Sequence, residues 1–395
     1  MMRVVIAGGG TGGHLFPGIA IAEEIKSRDE TAEVTFIGTE HGIEASIIPK
    51  EGYPIKYLRA EGVVGKSPLK KARGIAKTML SLYDSYAFLE RLRPDAVIGV
   101  GGYASFCPVF TGHLMSLPTL IAEQNSVPGL ANKVLGRIAD AVCVTYHESI
   151  AFFPKSKTFI TGNPVRAGIL SGSREGAYDL FSLERNKFTI FVFGGSSGAR
   201  TINNALCGTF GALNGLKGDI QFLHQTGKTD YETVRETYRK WGFKGTVTAF
   251  IHQMAEAYAV ADLVISRAGA TTLAELTSVG KPAILLPYPY AAGRHQEMNA
   301  QRLSEMGAVR VVLDQELDGE VLAKNIRELY ADKHVRSEMQ RSSRSVGRPD
   351  AAHKVVDVLM SLIKQSTVSR RHQPVIKMQD DHLSVGRDRQ MKKNV

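Results

Sequence analysis

Twice in this chain an apolar run breaks into a glycine cluster and then into a helical pattern, and few folds accept that punctuation. The first instance is Arg3-Val4-Val5-Ile6-Ala7, then Gly8-Gly9-Gly10-Thr11-Gly12-Gly13-His14, then the helix-like stretch from Phe16 to Ile25. The second is the run from Phe188 to Phe193, then Gly194-Gly195-Ser196-Ser197-Gly198-Ala199-Arg200 and a further helix. A buried strand, a turn without side chains and a helix start bring backbone N–H groups and the positive end of a helix against a ligand. Other short apolar runs alternate with helical stretches: 34–38, 55–58, 96–100, 119–122, 141–145 and 158–161, then 220–225, 246–249, 263–266, 283–287 and 308–312. This is the rhythm of parallel, doubly wound sheets. Its restart after Pro164 and the loop from Ser171 to Gly176 predicts two similar α/β halves. Residues 351–363 read as an amphipathic helix, and the chain then turns polar and basic, which predicts a poorly ordered tail.

Length and composition narrow the class. The 395 residues suffice for two or three domains, and 43% apolar with 22% charged residues is ordinary for a soluble globular protein. No apolar run approaches the ~18 residues of a membrane span. The N-terminus lacks the charged region, apolar stretch and cleavage site of a signal peptide. Cys107, Cys143 and Cys207 are far apart, which argues against a metal pair or disulfide framework and for a reduced, cytosolic setting. A net charge of +10 suits an anionic partner: nucleic acid, an acidic membrane surface or a phosphorylated substrate.

Several loops carry groups that could do chemistry. Gly8, Gly10 and Gly13 satisfy G-x-G-x-x-G, but the acid expected about 20 residues on, at the end of the second strand, is displaced to Glu40, which speaks against NAD. Gly99-Val100-Gly101-Gly102-Tyr103 and Glu123-Gln124-Asn125 follow two further strands, where ligands of open α/β sheets gather. Taken singly, such glycines only make turns and Asn125 only bends a loop; three polar strand ends together make a site. Ser196 supplies a hydroxyl to an anion cradle, and Glu275, early in a helix, either meets ribose hydroxyls or merely complements the helix dipole. No Asp-x-Asp occurs, so a common metal–diphosphate device is absent and helix dipoles would have to replace it.

In order, Gly9–Pro17, Gly101–Ser105, Glu123-Gln124-Asn125, Gly162-Asn163-Pro164-Val165-Arg166, Gly194–Arg200 and His295–Ala300 resemble the motif set of the MurG family within glycosyltransferase family 28. The resemblance runs over about residues 3–360 and departs at Phe106-Cys107, where many relatives carry Gly-Pro. It implies the α/β GT-B fold: two Rossmann-like, doubly wound domains facing across a cleft. It also implies an acceptor- and membrane-facing domain at 1–165, a donor domain at 166–350, a helix at 351–364 crossing back to the first domain, and a basic, disordered tail at 365–395. The implied reaction is inverting transfer of N-acetylglucosamine from UDP-GlcNAc to the muramyl 4-hydroxyl of lipid I, giving lipid II and UDP, with no cofactor and no metal. By the same resemblance, Ser196 contacts the diphosphate, Ile251 reads uracil through its backbone and Glu275 holds ribose. Gln296 and the turn Ala270-Thr271-Thr272-Leu273-Ala274 approach the sugar. Thr11, Gly12, Gly13, Asn125 and Arg166 complete the donor site. Gly9, Gly10, Gly101, Gly102, Tyr103 and Glu123 face the acceptor.

His14 is the candidate general base, because imidazole titrates near neutral pH; the alternative is a loop histidine that only bonds phosphate. The implied partners are UDP-GlcNAc, lipid I, the anionic cytoplasmic membrane surface and further cell-wall synthesis proteins, and the implied place is peripheral, on the inner face of the bacterial plasma membrane. The basic run Lys66, Lys70, Lys71, Arg73 and Lys77, interleaved with Met79, Leu80 and Tyr83, predicts the docking face. The competing readings are another GT-B glycolipid transferase and a non-catalytic cell-wall scaffold. A nucleic-acid binder is disfavoured, since no basic motif interleaved with aromatic side chains of the single-strand type is present.

Overall fold

The structure is a computed structural model that describes residues 1–58 and 68–372, leaving aside the side chains of residues 68–77, 292 and 369–372. Its first half is a seven-stranded sheet of β1 (Arg3–Ala7), β2 (Glu33–Gly38), β3 (Ile55–Tyr57), β4 (Ala96–Gly99), β5 (Thr119–Glu123), β6 (Ala141–Val144) and β7 (Thr158–Ile160). Its second is a six-stranded sheet of β8 (Phe188–Phe193), β9 (Ile220–Gln225), β10 (Gly245–Thr248), β11 (Leu263–Ser266), β12 (Ala283–Leu285) and β13 (Arg310–Val311). Strand order is β3-β2-β1-β4-β5-β6-β7 in the first and β10-β9-β8-β11-β12-β13 in the second, and β1 pairs in parallel with both β2 and β4. Two Rossmann-like sheets in one chain give the GT-B architecture.

The strands read as continuous apolar runs because both faces are covered by helices. Val4 and Ile6 join one core layer, while Val5 and Ala7 join the layer on the other face. Ile190 and Val192 are likewise separated from Phe191 and Phe193 by the second sheet. The chain after β7 already belongs to the second core: Val165, Ile169 and Tyr178 pack with Leu223 and Val264.

The C-terminal helix differs from the sequence expectation. It runs Ala351–His372, past the 364/365 limit set from the loss of apolar residues. The stretch 364–372 holds neither Gly nor Pro, so nothing in it interrupts the helix once the apolar pattern fades. The tail beyond 372 lies outside the described residues. Val355, Val356 and Leu359 of this helix are fully buried among Ile21, Ile25 and Val34, so the last helix completes the first core. Arg28 fastens it, donating to Asp357 Oδ1 at 2.7 Å and to the His353 carbonyl at 2.9 Å.

Candidate functional site

Each sheet reverses its strand order once, between β1 and β4 and between β8 and β11. Loops leaving the two strands diverge there and open a crevice at the carboxyl ends, the binding position of open α/β sheets. The Gly8–Thr11 and Val100–Gly102 loops stand at the first reversal. Gly194–Ala199 and Arg267–Gly269 stand at the second. The glycine clusters singled out in the sequence therefore occupy the two topological switch points.

The first loop is held from below by a residue the sequence reading passed over. Glu44, 1% exposed, accepts from the Gly10 N–H at 2.8 Å, the Thr39 N–H at 2.9 Å and the Thr39 hydroxyl at 2.8 Å. A Cβ at Gly9, Gly38 or Gly42 would lie within 2.5 Å of this side chain, so these glycines make room for the carboxylate. The signal was present as Gly38-Thr39 with Gly42 two residues before Glu44, but it carries no period and matches no motif.

The helix Gly12–Arg28 begins at once after the loop, with Thr11 in extended geometry and no side-chain cap. Its first N–H groups face the cleft without an intrahelical partner, a ready anion site. His14 sits in that first turn, its Nδ1 3.3 Å from Thr11 Oγ1. Its ring lies against Gly101 and Gly102, whose φ values of +95° and +77° require glycine. A Cβ on Gly101 would fall 2.6 Å from His14 Cδ2. Burial is the main influence on His14 and lowers its pKa below 6.5; a bond to the Gly9 carbonyl raises it, His295 lowers it and Glu44 raises it. The ring is thus neutral at pH 7 and holds a lone pair that can take a proton. Tyr103, 40% exposed, brings its hydroxyl to 3.5 Å from Thr39 Oγ1 above Gly10.

Glu123 points inward. Its oxygens accept from the Asn125 N–H and Nδ2, the Gly129 N–H and Asn132 Nδ2 at 2.9–3.2 Å. Burial raises its pKa against the pull of those donors. It shapes the loop that presents Asn125. Gln124 is also buried: its Nε2 donates to the Val100 and Ala122 carbonyls.

In the second half Ser196 is exposed at the tip of its glycine loop, where Gly195 and Gly198 take φ of +98° and +78°. The loop continues into the helix Arg200–Gly208. Gln225, unremarked in the sequence, ties two site elements: its Nε2 donates to the Gly195 carbonyl at 2.9 Å, and its Oε1 accepts from the Ile251 N–H at 2.8 Å. The Ile251 N–H is thus engaged within the protein. Arg267 is no free cation, since it donates to the Leu286 and Pro287 carbonyls, Asp314 and Thr201.

The helix Ala270–Val279 starts at the cleft after Gly269. Glu275 on it is 5% exposed and accepts from the Tyr258 hydroxyl at 2.9 Å, with Arg166 at 3.7 Å. Burial raises its pKa, opposed by Arg166 and Tyr258. Gln296 Oε1 accepts from the Tyr288 N–H at 3.0 Å.

The halves meet across these loops. Thr271 Oγ1 donates to the Gly13 carbonyl at 3.2 Å, and the Ser126 N–H donates to Asn299 Oδ1 at 3.4 Å. The Arg166 guanidinium lies 4.4 Å from the Phe16 ring centroid, linking the start of the first helix to Glu275. The starts of Gly12–Arg28 and Ala270–Val279 thus sit side by side, two positive helix ends at one crevice. Thr11, Gly12, Gly13, His14, Arg166, Thr271 and Glu275 are brought together; Ser196 and Ile251 stand along the second sheet, joined through Gln225. Among the described residues no group of three or more His, Cys, Asp or Glu is placed to hold a metal ion.

The glycosyltransferase family 28 N-terminal domain description matches residues 4–144, and the family 28 C-terminal domain description matches residues 189–355. The UDP-N-acetylglucosamine--N-acetylmuramyl-(pentapeptide) pyrophosphoryl-undecaprenol N-acetylglucosamine transferase of Thermodesulfovibrio yellowstonii is 50% identical over 364 residues, 92% of this chain and 100% of that protein. The protein of the same name from Myxococcus xanthus is 45% identical over 366 residues, 93% of this chain and 94% of the other. The crystal structure of Acinetobacter baumannii MurG superposes with a TM-score of 0.71 at 28% identity, covering 91% of this chain and 100% of that one. A UDP-GlcNAc 2-epimerase from Neisseria meningitidis bound to UDP-GlcNAc shares the fold at a TM-score of 0.66 and 13% identity, covering 91% of this chain and 100% of its own.

Proposed function

We propose, for a chain that belongs to glycosyltransferase family 28, transfer of N-acetylglucosamine from UDP-GlcNAc to the muramyl 4-hydroxyl of lipid I, with lipid II and UDP as products. The observation that carries it is 50% identity to a transferase of that name over its whole length. The fold-only likeness to a 2-epimerase does not compete at 13% identity.

The site supports an in-line displacement. UDP-GlcNAc lies along the second half, with uracil at the Ile251 carbonyl, ribose at Glu275 and the diphosphate between Ser196 and the paired helix starts. Gln296 and the turn 270–274 hold the sugar; Asn125, Arg166 and Thr11–Gly13 cover it from the first half. The glycine loops at 9–10 and 101–102, with Tyr103, receive the acceptor, and Glu123 positions Asn125. His14, neutral because buried, takes the proton of the attacking hydroxyl through its free lone pair. The C1–O bond to the diphosphate breaks as the new C1–O bond forms. The two helix ends stabilise the charge that develops on the leaving UDP.

The acceptor carries a polyprenyl tail, so the first half must reach a lipid surface. Met79, Leu80 and Tyr83 on the helix Pro68–Leu92 and Leu114 on the helix Phe106–Leu114 are 65%, 49%, 70% and 67% exposed. Cys107 donates to the Thr78 carbonyl and joins the two helices into one face. Lys66 and the side chains of Lys70, Lys71, Arg73 and Lys77 lie outside the described residues. Among the described residues no helix is long and apolar enough to cross a membrane. We infer peripheral docking on the cytoplasmic leaflet through this exposed apolar face, with the basic residues that the sequence places beside it attracting anionic lipid. Release of UDP from UDP-GlcNAc, dependent on a lipid I analogue and giving a disaccharide product, tests the activity. Turnover with diacylglycerol but not with lipid I would transfer the assignment to another glycolipid transferase, and no turnover with either would leave a scaffold.

A further inference from the structure

The helix His295–Glu305 lies along the seam between the halves. Ala300 and Leu303, on one side of it, are buried in the second core. His295, Asn299 and Arg302 recur at intervals of four and three and form a separate stripe. That stripe meets the first half at each position. After burial and the Gly9 carbonyl, His295 is the next influence on the pKa of His14, which it lowers, so the helix start stands near His14. Asn299 Oδ1 accepts from the Ser126 N–H. Arg302, about 10 Å further along the helix than His295, pairs with the Glu148 carboxylate. Its guanidinium also lies 5.8 Å from the Tyr146 ring centroid.

These contacts are unequal. The bond from Ser126 to Asn299 is long, at 3.4 Å, and among the described residues Asn299 Nδ2 and Ser126 Oγ are buried without a partner. The middle of the seam thus uses only part of its bonding capacity. The far end is charged. The Arg302 guanidinium holds the Glu148 carboxylate below its usual range, so the pair is ionised at neutral pH. The Arg302 and Glu148 side chains are 38% and 54% exposed, and an exposed pair adds little to the stability of a folded chain. It acts instead on the balance between arrangements of the two halves, where a small difference in energy changes populations severalfold.

What the pair joins gives it a role. Glu148 belongs to the turn His147–Phe152. Beside it, the fully buried Ser149 donates to the Asn125 carbonyl at 2.9 Å and to the Ser126 carbonyl at 3.2 Å. The turn and the loop that carries Asn125 are therefore one piece. Arg302 shares its helix with Gln296, less than two turns away. We propose that Glu148 and Arg302 are a positioning pair for the transfer reaction: pinned together, they fix the separation of Asn125 and Gln296 across the donor sugar. Each acts through the element that carries a sugar contact. This role rests on the donor site proposed above.

Charge reversal in the full chain tests the pair, because it removes an attraction and adds a repulsion. Glu148→Arg and Arg302→Glu are each expected to weaken UDP-GlcNAc binding about five- to tenfold in calorimetry, while UDP, which lacks the sugar, loses less than about twofold. The double variant Glu148→Arg/Arg302→Glu is expected to return to within about threefold of the parent. High salt narrows the gap between the parent and the single variants, and unfolding midpoints stay at the parent value. A second readout needs no donor. With spin labels at Leu130→Cys and Leu180→Cys, exposed positions in the two halves, and Cys207→Ser as background, each reversal is expected to lengthen and broaden the distance distribution and the double variant to restore it. Unchanged donor affinity in both single variants, equal losses for UDP and UDP-GlcNAc, or a double variant no better than the singles overturns the positioning role. An unmoved distance in both reversals overturns the pin itself. A parent that binds no UDP-GlcNAc, with distances that still respond as expected, refutes the donor reading and leaves the pin standing.

Discussion

Removing the Glu44 carboxylate should loosen the first glycine loop more than any other single change beneath it. Glu44→Ala strands the Thr39 N–H and hydroxyl, in a residue only 4% exposed, and frees the Gly10 N–H, which is closer to solvent. Hydrogen bonds to a charged group contribute about 1.5–3 kcal/mol each, and buried donors left unpaired cost about 1–3 kcal/mol. The Gly10 N–H recovers most of its share from water. Withdrawing a buried carboxylate also returns part of its desolvation cost. The net is about 2–4 kcal/mol of lost stability, confined to the first half. Glu44→Gln keeps the shape and one acceptor but turns an NH₂ toward a donor, so it should lose about half as much. Urea unfolding of the full chain, read by circular dichroism and by proteolysis sites assigned to each half, measures both. Transfer activity should fall tenfold or more in the Ala variant under conditions where it is still folded, because a loop displaced by ~1 Å can lose 10²-fold in rate. An Ala variant within ~0.5 kcal/mol of the parent and fully active would refute the reasoning.

Four other outcomes are expected. His14→Ala should lower kcat by about 10²–10⁴-fold with donor affinity nearly kept; a small kcat loss with a large rise in acceptor KM would make His14 a binding residue. Its depressed pKa also places the acid limb of the kcat/KM profile below pH 6.5, and a limb above that value would contradict its burial. His224 is buried between Asn203 and Tyr238, with its pKa lowered to about 3. Below pH 6.5 the unfolded chain binds a proton that the folded one refuses, so stability falls from pH 6.5 towards 3; His224→Gln should flatten that slope in urea titrations, and an unchanged slope would show that other groups set it. With the leaving UDP placed at the helix ends as proposed, excess EDTA should leave most transfer activity, and full loss restored by magnesium would defeat the helix-end account. Reversing Lys70, Lys71 and Arg73 to Glu should reduce binding to anionic vesicles and turnover of full-length lipid I, with a short-chain soluble acceptor processed normally; undiminished vesicle binding with the tail also deleted would exclude that face.

What the sequence made legible and what it hid differ in a physical way. The central strands follow from apolar runs buried on both faces, and β8, β9 and β11 match residue for residue, because burial writes itself into every position of such a strand, whereas the edge strands β3, β7, β10 and β13 are only partly buried. The glycine loops were legible for a related reason: a positive φ at both positions, with the ring of His14 at Gly101 and the Gly9 carbonyl at Gly102, excludes any side chain, so only one residue type remains. Glu44, Gln225 and Tyr258 escaped notice because each acts across a gap in sequence through ordinary hydrogen bonds that leave no period behind. Glu44 reaches back 34 residues to Gly10, and Gln225 reaches 30 residues to Gly195 and 26 to Ile251. The C-terminal helix runs past the limit set at 364 because loss of apolar residues marks the edge of a core, not the end of a helix. A glycine cluster thus tells where a ligand approaches the main chain, and the buried polar side chain that fixes the cluster has to be found from the space those glycines leave. At Gly9, Gly38 and Gly42 that space is filled by the Glu44 side chain, so the absent side chains of three separated positions record a single buried contact.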